Sequence, residues 1–269
     1  MKKIFCTLGL IIGIMGFNLQ SCYADMYSDF IKINESLGKN ISYAETLSKG
    51  FVSKYPKVSD GYATLAIINA ENDNMDKALY FYDKALSIDN IEYVQKYEVF
   101  LRRAVIYWDY KNDLKKALQD YDNAIKSAPA NSVKLHIAYA QRGEIKTLLN
   151  SPVGAQEDLE KALTYNSINA DKELHARTLA FLSKSLYMQK KYKEAIKQAG
   201  EALVICGIGD SYASVTAQVY IAKSALANKE YDLAKSMAEL AKSMMEMNGN
   251  QSDSYYKEML NILNQVKGK

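Results

Sequence analysis

Side chains able to do chemistry are sparse in this 269-residue chain. His136 and His175, its two histidines, lie 39 positions apart, and Cys206 adds a third nucleophilic or metal-ligating group. A zinc site takes three or four such ligands, so two histidines with no cysteine cluster or His-Glu-x-x-His pair beside them make a poor metal set. Asp120-Tyr121-Asp122 and Glu157-Asp158 offer carboxylate pairs of the kind used in general acid–base work. Gly207-Ile208-Gly209-Asp210 is glycine-rich but follows a helical pattern instead of a strand, which makes it a helix stop and not a phosphate loop. No Cys-x-x-Cys, Gly-x-Ser-x-Gly, Walker or dinucleotide motif is present. The expectation is a chain with no catalytic residue, no metal site and no cofactor. The rival is a metal-binding or hydrolytic envelope protein using His136, His175 and Cys206.

The histidine spacing equals a period that runs through the chain. Ala78-Tyr82-Ala85, Ala117-Tyr121-Ala124, Ala155-Leu159-Ala162, Ala195-Ala199-Ala202 and Ala234-Ala238-Ala241 start 39, 38, 40 and 39 residues apart. A fainter copy, Ala44 with Phe51 and Pro56, lies upstream. Offsets of four and seven put each trio on one helix face, where small side chains let two helices approach closely. A second amphipathic stretch precedes every trio, as in Phe100, Leu101, Ala104, Val105 and Trp108. Turn residues fall between the two stretches at Asn72-Asp73-Asn74, Asn112-Asp113, Asn150-Ser151-Pro152 and Asn228. Each unit is therefore a helical hairpin. Three prolines and 13 glycines over the whole length also disfavour linker-rich and many-turned β folds.

Leu101-Arg102-Arg103-Ala104 through Trp108 to Ala117-Leu118-Gln119-Asp120-Tyr121 and Pro129 resembles the tetratricopeptide repeat, as does Tyr139-Ala140-Gln141-Arg142-Gly143 through Ala155 to Asp158-Leu159. The resemblance covers about residues 26–250. It departs from the family at Ala199 and Ala238, which stand where an aromatic is usual, and in a period about five residues above the family's 34. The extra residues are expected to lengthen the first helices, over Ile91 to Tyr110, Val133 to Leu149, Leu174 to Met188 and Tyr212 to Ala227, with Asp89, Ser132, Asp171 and Asp210 as starts.

The resemblance implies an all-α, right-handed α-solenoid of about six hairpins plus a C-terminal capping helix. Its parts are a divergent first hairpin at 25–58, repeats at 59–90, 91–130, 131–169, 170–209 and 210–250, and a cap at 251–269 built on the apolar stripe Tyr255, Met259, Ile262, Leu263 and Val266. It also implies solvated faces for the acidic pairs on second helices. First helices line the family's ligand groove, which places Ile67, Arg102, Ile106, Asp109, Tyr110, Glu144, Thr147, Arg177, Lys184, Tyr187 and Lys223 toward a protein or peptide partner. The family's chaperone-binding clamp is not assembled, but Lys184 and Lys223 on consecutive first helices could form a weaker anionic site. Self-association as a homo-oligomer is a further use of such a surface.

Lys2 and Lys3, the uncharged run Ile4 to Phe17 and the polar stretch Asn18 to Ala24 read as an export signal, the run being shorter than the roughly 20 apolar residues of a membrane span. Cys22 and Ala24 suit cleavage to a soluble chain starting at Asp25. Leu19-Gln20-Ser21-Cys22 resembles a bacterial lipobox, in which signal 1–21 is removed and Cys22 carries the lipid, the only membrane contact expected. Both routes leave Cys206 as the one free thiol, so no intrachain disulfide is expected, and Cys206 is expected as a small buried hydrophobe. Without Lys2 and Lys3 the chain has 32 cationic and 31 anionic residues, a net charge of +1. That balance lacks the basic stripe of a nucleic-acid binder. The functional expectation is a non-enzymatic interaction scaffold in the periplasm or cell envelope, with a secreted effector acting on host proteins as the alternative.

Overall fold

The computed structural model describes residues 23–88, 94–130, 132, 134–165 and 171–269. Most of the export segment with Cys6 and Cys22, and the helix start expected at Asp89, lie outside these residues. Every regular element among the described residues is helical, as expected. In chain order these are α1 (23–37), α2 (Ile41–Lys54), α3 (Asp60–Glu71), α4 (Met75–Leu86), α5 (Lys96–Val105) running into a π turn (Ile106–Tyr110), α6 (Leu114–Ser127), α7 (Leu135–Leu148), α8 (Pro152–Tyr165), α9 (Lys172–Met188), α10 (Tyr192–Cys206), α11 (Tyr212–Ala227), α12 (Tyr231–Met247) and α13 (Ser254–Val266).

The chain divides into two compact units, one ending at Asp120 and one beginning at Tyr121. In the first unit α2 packs on α3, and α3 on α4. In the second, α7 pairs with α8, α9 with α10 and α11 with α12, while α8 meets α9 and α10 meets α11, so each hairpin stacks on the next. The first helices also meet one another in the order α7, α9, α11, and α13 takes the next place against α11 and α12.

The small-residue trios explain how the hairpins close. All five alanine pairs are buried, and the residue between each pair is Tyr82, Tyr121, Leu159, Ala199 or Ala238, also buried. Among the described glycines the tightest fit is at Gly143 in α7, where a Cβ would stand 2.6 Å from Leu159 Cγ and 3.2 Å from the Ala155 carbonyl oxygen of α8. Only a residue with no side chain fits there. Pro152 opens α8 in the first turn, where its missing N–H costs nothing.

From α3 onward each of the five hairpins turns through one residue in the left-handed region: Asp73, Asn112, Asn150, Lys190 and Lys229, with φ of 61°, 49°, 58°, 62° and 65°. The turn closes by a bond from the next amide back five residues, as from Asn74 N to the Asn69 carbonyl (2.8 Å) and from Glu230 N to the Ala225 carbonyl (2.8 Å). After α5 the bond spans six, from Asp113 N to the Tyr107 carbonyl (2.7 Å). The π turn absorbs that additional residue, and the alanine trio that follows keeps its place.

Helix starts follow the sequence in part. Asp171 caps α9 by accepting from Leu174 N (2.9 Å), as expected. Ser211, not Asp210, caps α11, accepting from Ser214 N (3.2 Å). The helix expected from Ile91 begins only at Lys96, because Val94 and Gln95 are not helical, and the Val94 amide donates to the buried Asp60 carboxylate of α3 (2.5 Å). The added length falls in α9 and α11, with 17 and 16 residues, but also in the second helices α10 and α12, with 15 and 17.

Candidate functional site

Of the acidic pairs expected to be solvated, Glu157 is exposed and Asp122 half-buried, but the other member of each pair is not solvated. Asp120 and Asp158 are buried, each taking a two-pronged guanidinium from the first helix of its own hairpin. Arg103 Nε and Nη2 donate to Asp120 (2.8 and 2.7 Å), and Arg142 Nε and Nη2 donate to Asp158 (2.7 and 2.5 Å). The third arm of each arginine reaches back one hairpin, Arg103 Nη1 to Asp83 (2.6 Å) and Arg142 Nη1 to Asp122 (2.7 Å). Burial pushes the Asp120 carboxyl up by more than Arg103 brings it down. Each arginine thus ties its own hairpin together through Asp120 or Asp158 and joins it to the preceding one through Asp83 or Asp122.

His136 and His175 sit in the first turns of α7 and α9, half-buried. Among the described residues no three His, Cys, Asp or Glu side chains converge as metal ligands. Cys206 is half-buried at the end of α10, less covered than expected, and burial raises its thiol pKa. Gly207 ends that helix with φ 77°.

The eleven residues expected to line a groove divide by burial. In the first unit Arg102, Asp109 and Tyr110 are exposed, with the Lys111 ammonium 4.9 Å from the Tyr110 ring centre, while Ile67 is half-buried. Ile106 is covered, packed into the apolar cluster of Ala63, Ala66 and Tyr82. In the second unit Thr147 and Glu144 are likewise covered. Thr147 Oγ1 donates back to the Gly143 carbonyl (2.8 Å), and Glu144, 0% exposed, accepts from Arg177 of α9 (2.5 Å). All three are withdrawn from solvent, Glu144 beneath Arg177 of the next first helix.

What remains on α9, α11 and α13 is a cluster of rings and ammonium groups. Tyr187 of α9 meets Tyr220 of α11 edge-on at 5.6 Å, and Tyr220 meets Tyr255 of α13 at 6.1 Å. Lys184 lies 5.7 Å from the Phe181 ring and 5.8 Å from Tyr220, while Lys223 lies 5.0 Å from Tyr187 and 5.1 Å from Tyr220. Lys223 also pairs with Glu258 of α13. Burial, and then the neighbouring Lys223 charge, hold the Lys184 pKa below the ordinary lysine value. Burial lifts the Tyr187, Tyr220 and Tyr255 phenols above theirs, so all three are neutral donors. Beside them opens a cleft of about 150 Å³ lined by Tyr187, Lys223, Leu226, Glu258, Asn261, Ile262 and Gln265. Sequence reading found Lys184, Tyr187 and Lys223 but missed Tyr220, Tyr255 and Glu258. Tyr220 and Lys223 lie 39 residues after Phe181 and Lys184, which was the available signal.

A stack of antiparallel helical hairpins with small residues at each crossing defines a helical-repeat protein. The fold is that of the tetratricopeptide repeat. It is shared with Pseudomonas aeruginosa pilF at 16% identity and a TM-score of 0.62, over 88% of this chain and 96% of that one. YrrB, described as a TPR protein with an unusual peptide-binding site, aligns at 17% identity and 0.60 over 74% of this chain and 92% of its own. PilW, described as a widely conserved type IV pilus biogenesis factor, aligns at 14% and 0.57 over 87% and 98%. No family model matches the sequence, and no curated protein matches it either.

Proposed function

We propose that the protein is a non-enzymatic scaffold of the cell envelope that holds a segment of a partner protein on the face made by α9, α11 and α13. The observation that carries this reading is the half-buried set Tyr187, Lys184 and Lys223 packed about the buried Tyr220 ring. Tyrosine is among the side chains that dominate binding energy at protein interfaces, and here Tyr187 is held on a helix by its packing on Tyr220 and Lys223. The peptide-binding site named for YrrB and the pilus role named for PilW, both on this fold, support a segment-binding scaffold in the envelope. Arg102, Asp109 and Tyr110 form a separate contact surface on the first unit. On this reading α13 also caps the array, since it buries Met259, Ile262 and Val266 and presents polar residues outward.

Selection of a displayed random-peptide library on residues 25–269 tests the binding face. A consensus should emerge whose binding falls at least about tenfold in Tyr187→Ala, the loss expected of an interface anchor. Binding should persist in Val204→Ser, a change at an exposed residue of α10. No consensus, or one indifferent to Tyr187→Ala, refutes the assignment. Mass spectrometry of the N-terminus of the exported protein decides between a free Asp25 and a lipidated Cys22.

A further inference from the structure

The second unit has two edges where its helices start and stop, and the two are unlike. One edge gathers the hairpin turns: α7 ends and α8 begins there, then α9 and α10, then α11 and α12, with the end of α13 beside them. At the first of these turns Leu148, Leu149 and Val153 are 44%, 43% and 61% exposed. Three apolar side chains within one solvent-facing turn are more than the single exposed residues that a surface ordinarily scatters. The next turn is held against this one. Ser185 Oγ and Gln189 Nε2 both donate to the Pro152 carbonyl (2.6 and 3.3 Å), and Lys191 Nζ donates to the Gln156 side chain (3.1 Å).

From that second turn onward the edge is cationic. Lys190, Lys191, Lys193, Lys229, Lys267 and Lys269 are exposed, and among the described residues none has a side-chain carboxylate within ion-pair distance. Lys269 lies 4.9 Å from the Tyr231 ring centre, which brings the end of α13 to the start of α12. The exposed carboxylates of the same turns are Glu194, Glu230 and Asp232, half as many. Further along the same second helices lysines are paired, Lys197 with Glu201 (3.9 Å) and Lys242 with Glu246 (2.7 Å). The opposite edge, where α9, α11 and α13 begin, carries Asp171, Glu173, Asp210 and Asp253 against Lys172. Two lysines of the turn edge also stand at unfavourable backbone positions. Lys190 and Lys229 hold φ of 62° and 65°, in the left-handed region that glycine or asparagine enters at less cost. A cation at both turns, against backbone preference, points to a use for the charge.

We propose that the turn edge of the second unit docks on an anionic lipid bilayer, with Leu148, Leu149 and Val153 entering the headgroup boundary and the lysine row lying over the phosphates. Buried apolar area and attraction to anionic lipid are the two contributions that hold a peripheral protein on a membrane, and here they share one edge. The ammonium groups are spread along a row on flexible stems and do not converge, which suits the diffuse charge of a headgroup layer and not a single free phosphate. This docking uses neither the first-helix face assigned to a partner segment nor a lipid on Cys22.

Vesicle flotation with residues 25–269, which carry neither the apolar run of the export segment nor Cys22, tests it. The protein should float with vesicles of equal parts phosphatidylglycerol and phosphatidylcholine and not with phosphatidylcholine alone. Added sodium chloride should release it, since exposed charges are screened beyond about 10 Å at 0.1 M. The triple change Lys190→Gln/Lys191→Gln/Lys193→Gln should lower the partition coefficient about a hundredfold, at about fivefold for each lysine near an anionic surface. Val153→Trp should be quenched by brominated acyl chains. Val204→Trp, at an exposed site near the far end of α10, should not, each being read against the parent with its single Trp108. Equal flotation with both vesicles, an unchanged partition coefficient in the triple variant, or equal quenching at 153 and 204 overturns the proposal. Release by inorganic phosphate at an ionic strength where chloride leaves the protein bound overturns it too, by making the edge a phosphate site. If vesicles fail to bind while the peptide-library consensus depends on the three lysines, the edge is a protein contact, and the lipid inference falls while the scaffold reading stands.

Discussion

Replacing Arg103 by leucine tests whether the arginine–aspartate contacts are interior structure. Arg103 and Asp120 have side chains only 17% and 3% exposed, and the described neighbours of Asp120 supply no second cation at ion-pair distance. Removing the guanidinium leaves a buried carboxylate uncompensated, a change that typically costs about 3 to 5 kcal/mol. The Phe100 ring loses its cation at the same time, while Tyr107 keeps Lys116 at 5.1 Å. Arg142→Leu is the internal control. Asp158 keeps Lys146, whose ammonium lies 2.7 Å from its second oxygen, so the cost there should be nearer about 1 to 2 kcal/mol. The double change Arg103→Leu/Asp120→Met removes both charges and should return stability to within about 1 kcal/mol of the parent, since a buried pair is often no better than a well-packed apolar one. Asp83, more than half exposed, goes back to water at little cost. The pH dependence has a definite sign. Burial holds the Asp120 carboxyl above its unfolded value, so this group favours the fold below the ordinary aspartate pKa and withdraws that contribution as pH rises through its folded pKa. The double variant lacks this titration, so its stability relative to the parent should improve between about pH 3 and pH 7. Urea unfolding followed by circular dichroism reads all four proteins. If Arg103→Leu costs no more than Arg142→Leu, or if the double variant is as weak as the single, the pairs are surface contacts and the reasoning is wrong.

Three further outcomes follow from backbone and packing geometry. Gly200→Ala in α10, where an added Cβ meets nothing within 4 Å, should raise stability by about 0.5 to 1 kcal/mol through helix propensity, whereas Gly143→Ala gains the same term but drives a methyl into Leu159 and should end about 0 to 2 kcal/mol less stable; paired thermal melts with the same sign at both sites would sink this. Lys190 holds a left-handed conformation that favours glycine, so Lys190→Gly should stabilise by a few tenths to about 1 kcal/mol, and a loss in the urea midpoint contradicts the turn geometry. Ala117→Phe should overpack the α6 crossing by about 1 to 3 kcal/mol, and an unchanged melt means Ala117 does not face a neighbour.

Some of this was legible in the sequence and some was not, for physical reasons. Alanines at offsets of four and seven have one good use, close helix crossing, so their burial could be read directly. Asn112 and Asn150 announced their turns because asparagine tolerates the left-handed region, but lysine has no such preference, and Lys190 and Lys229 turn only because the hairpin forces them. A helical wheel shows which residues share a face. It does not show how deeply a neighbouring helix covers that face, which is why Ile106, Glu144 and Thr147 were expected to meet a partner and are covered instead. The π turn left a faint trace: the small residue on the first helix precedes the trio by 12 positions at Ala66, Gly143, Ser183 and Ala222, but by 13 at Ala104.

The same counting shows why the buried charges are where they are. At the position before that small residue the hairpins carry Leu65, Arg103, Arg142, Leu182 and Ile221, and three residues after the leading alanine they carry Phe81, Asp120, Asp158, Gln198 and Met237. Arginine occurs only where aspartate stands opposite, and in both cases a second aspartate, Asp83 or Asp122, waits on the preceding helix. Hairpins this alike could pair with the wrong neighbour through their alanine faces, because small apolar surfaces discriminate poorly. An arginine that needs an acid on each side can be satisfied at its own interface and at few others, since elsewhere it would be buried unpaired. The charges therefore act on the choice of neighbour more than on total stability. They join α5 to α6 and α7 to α8.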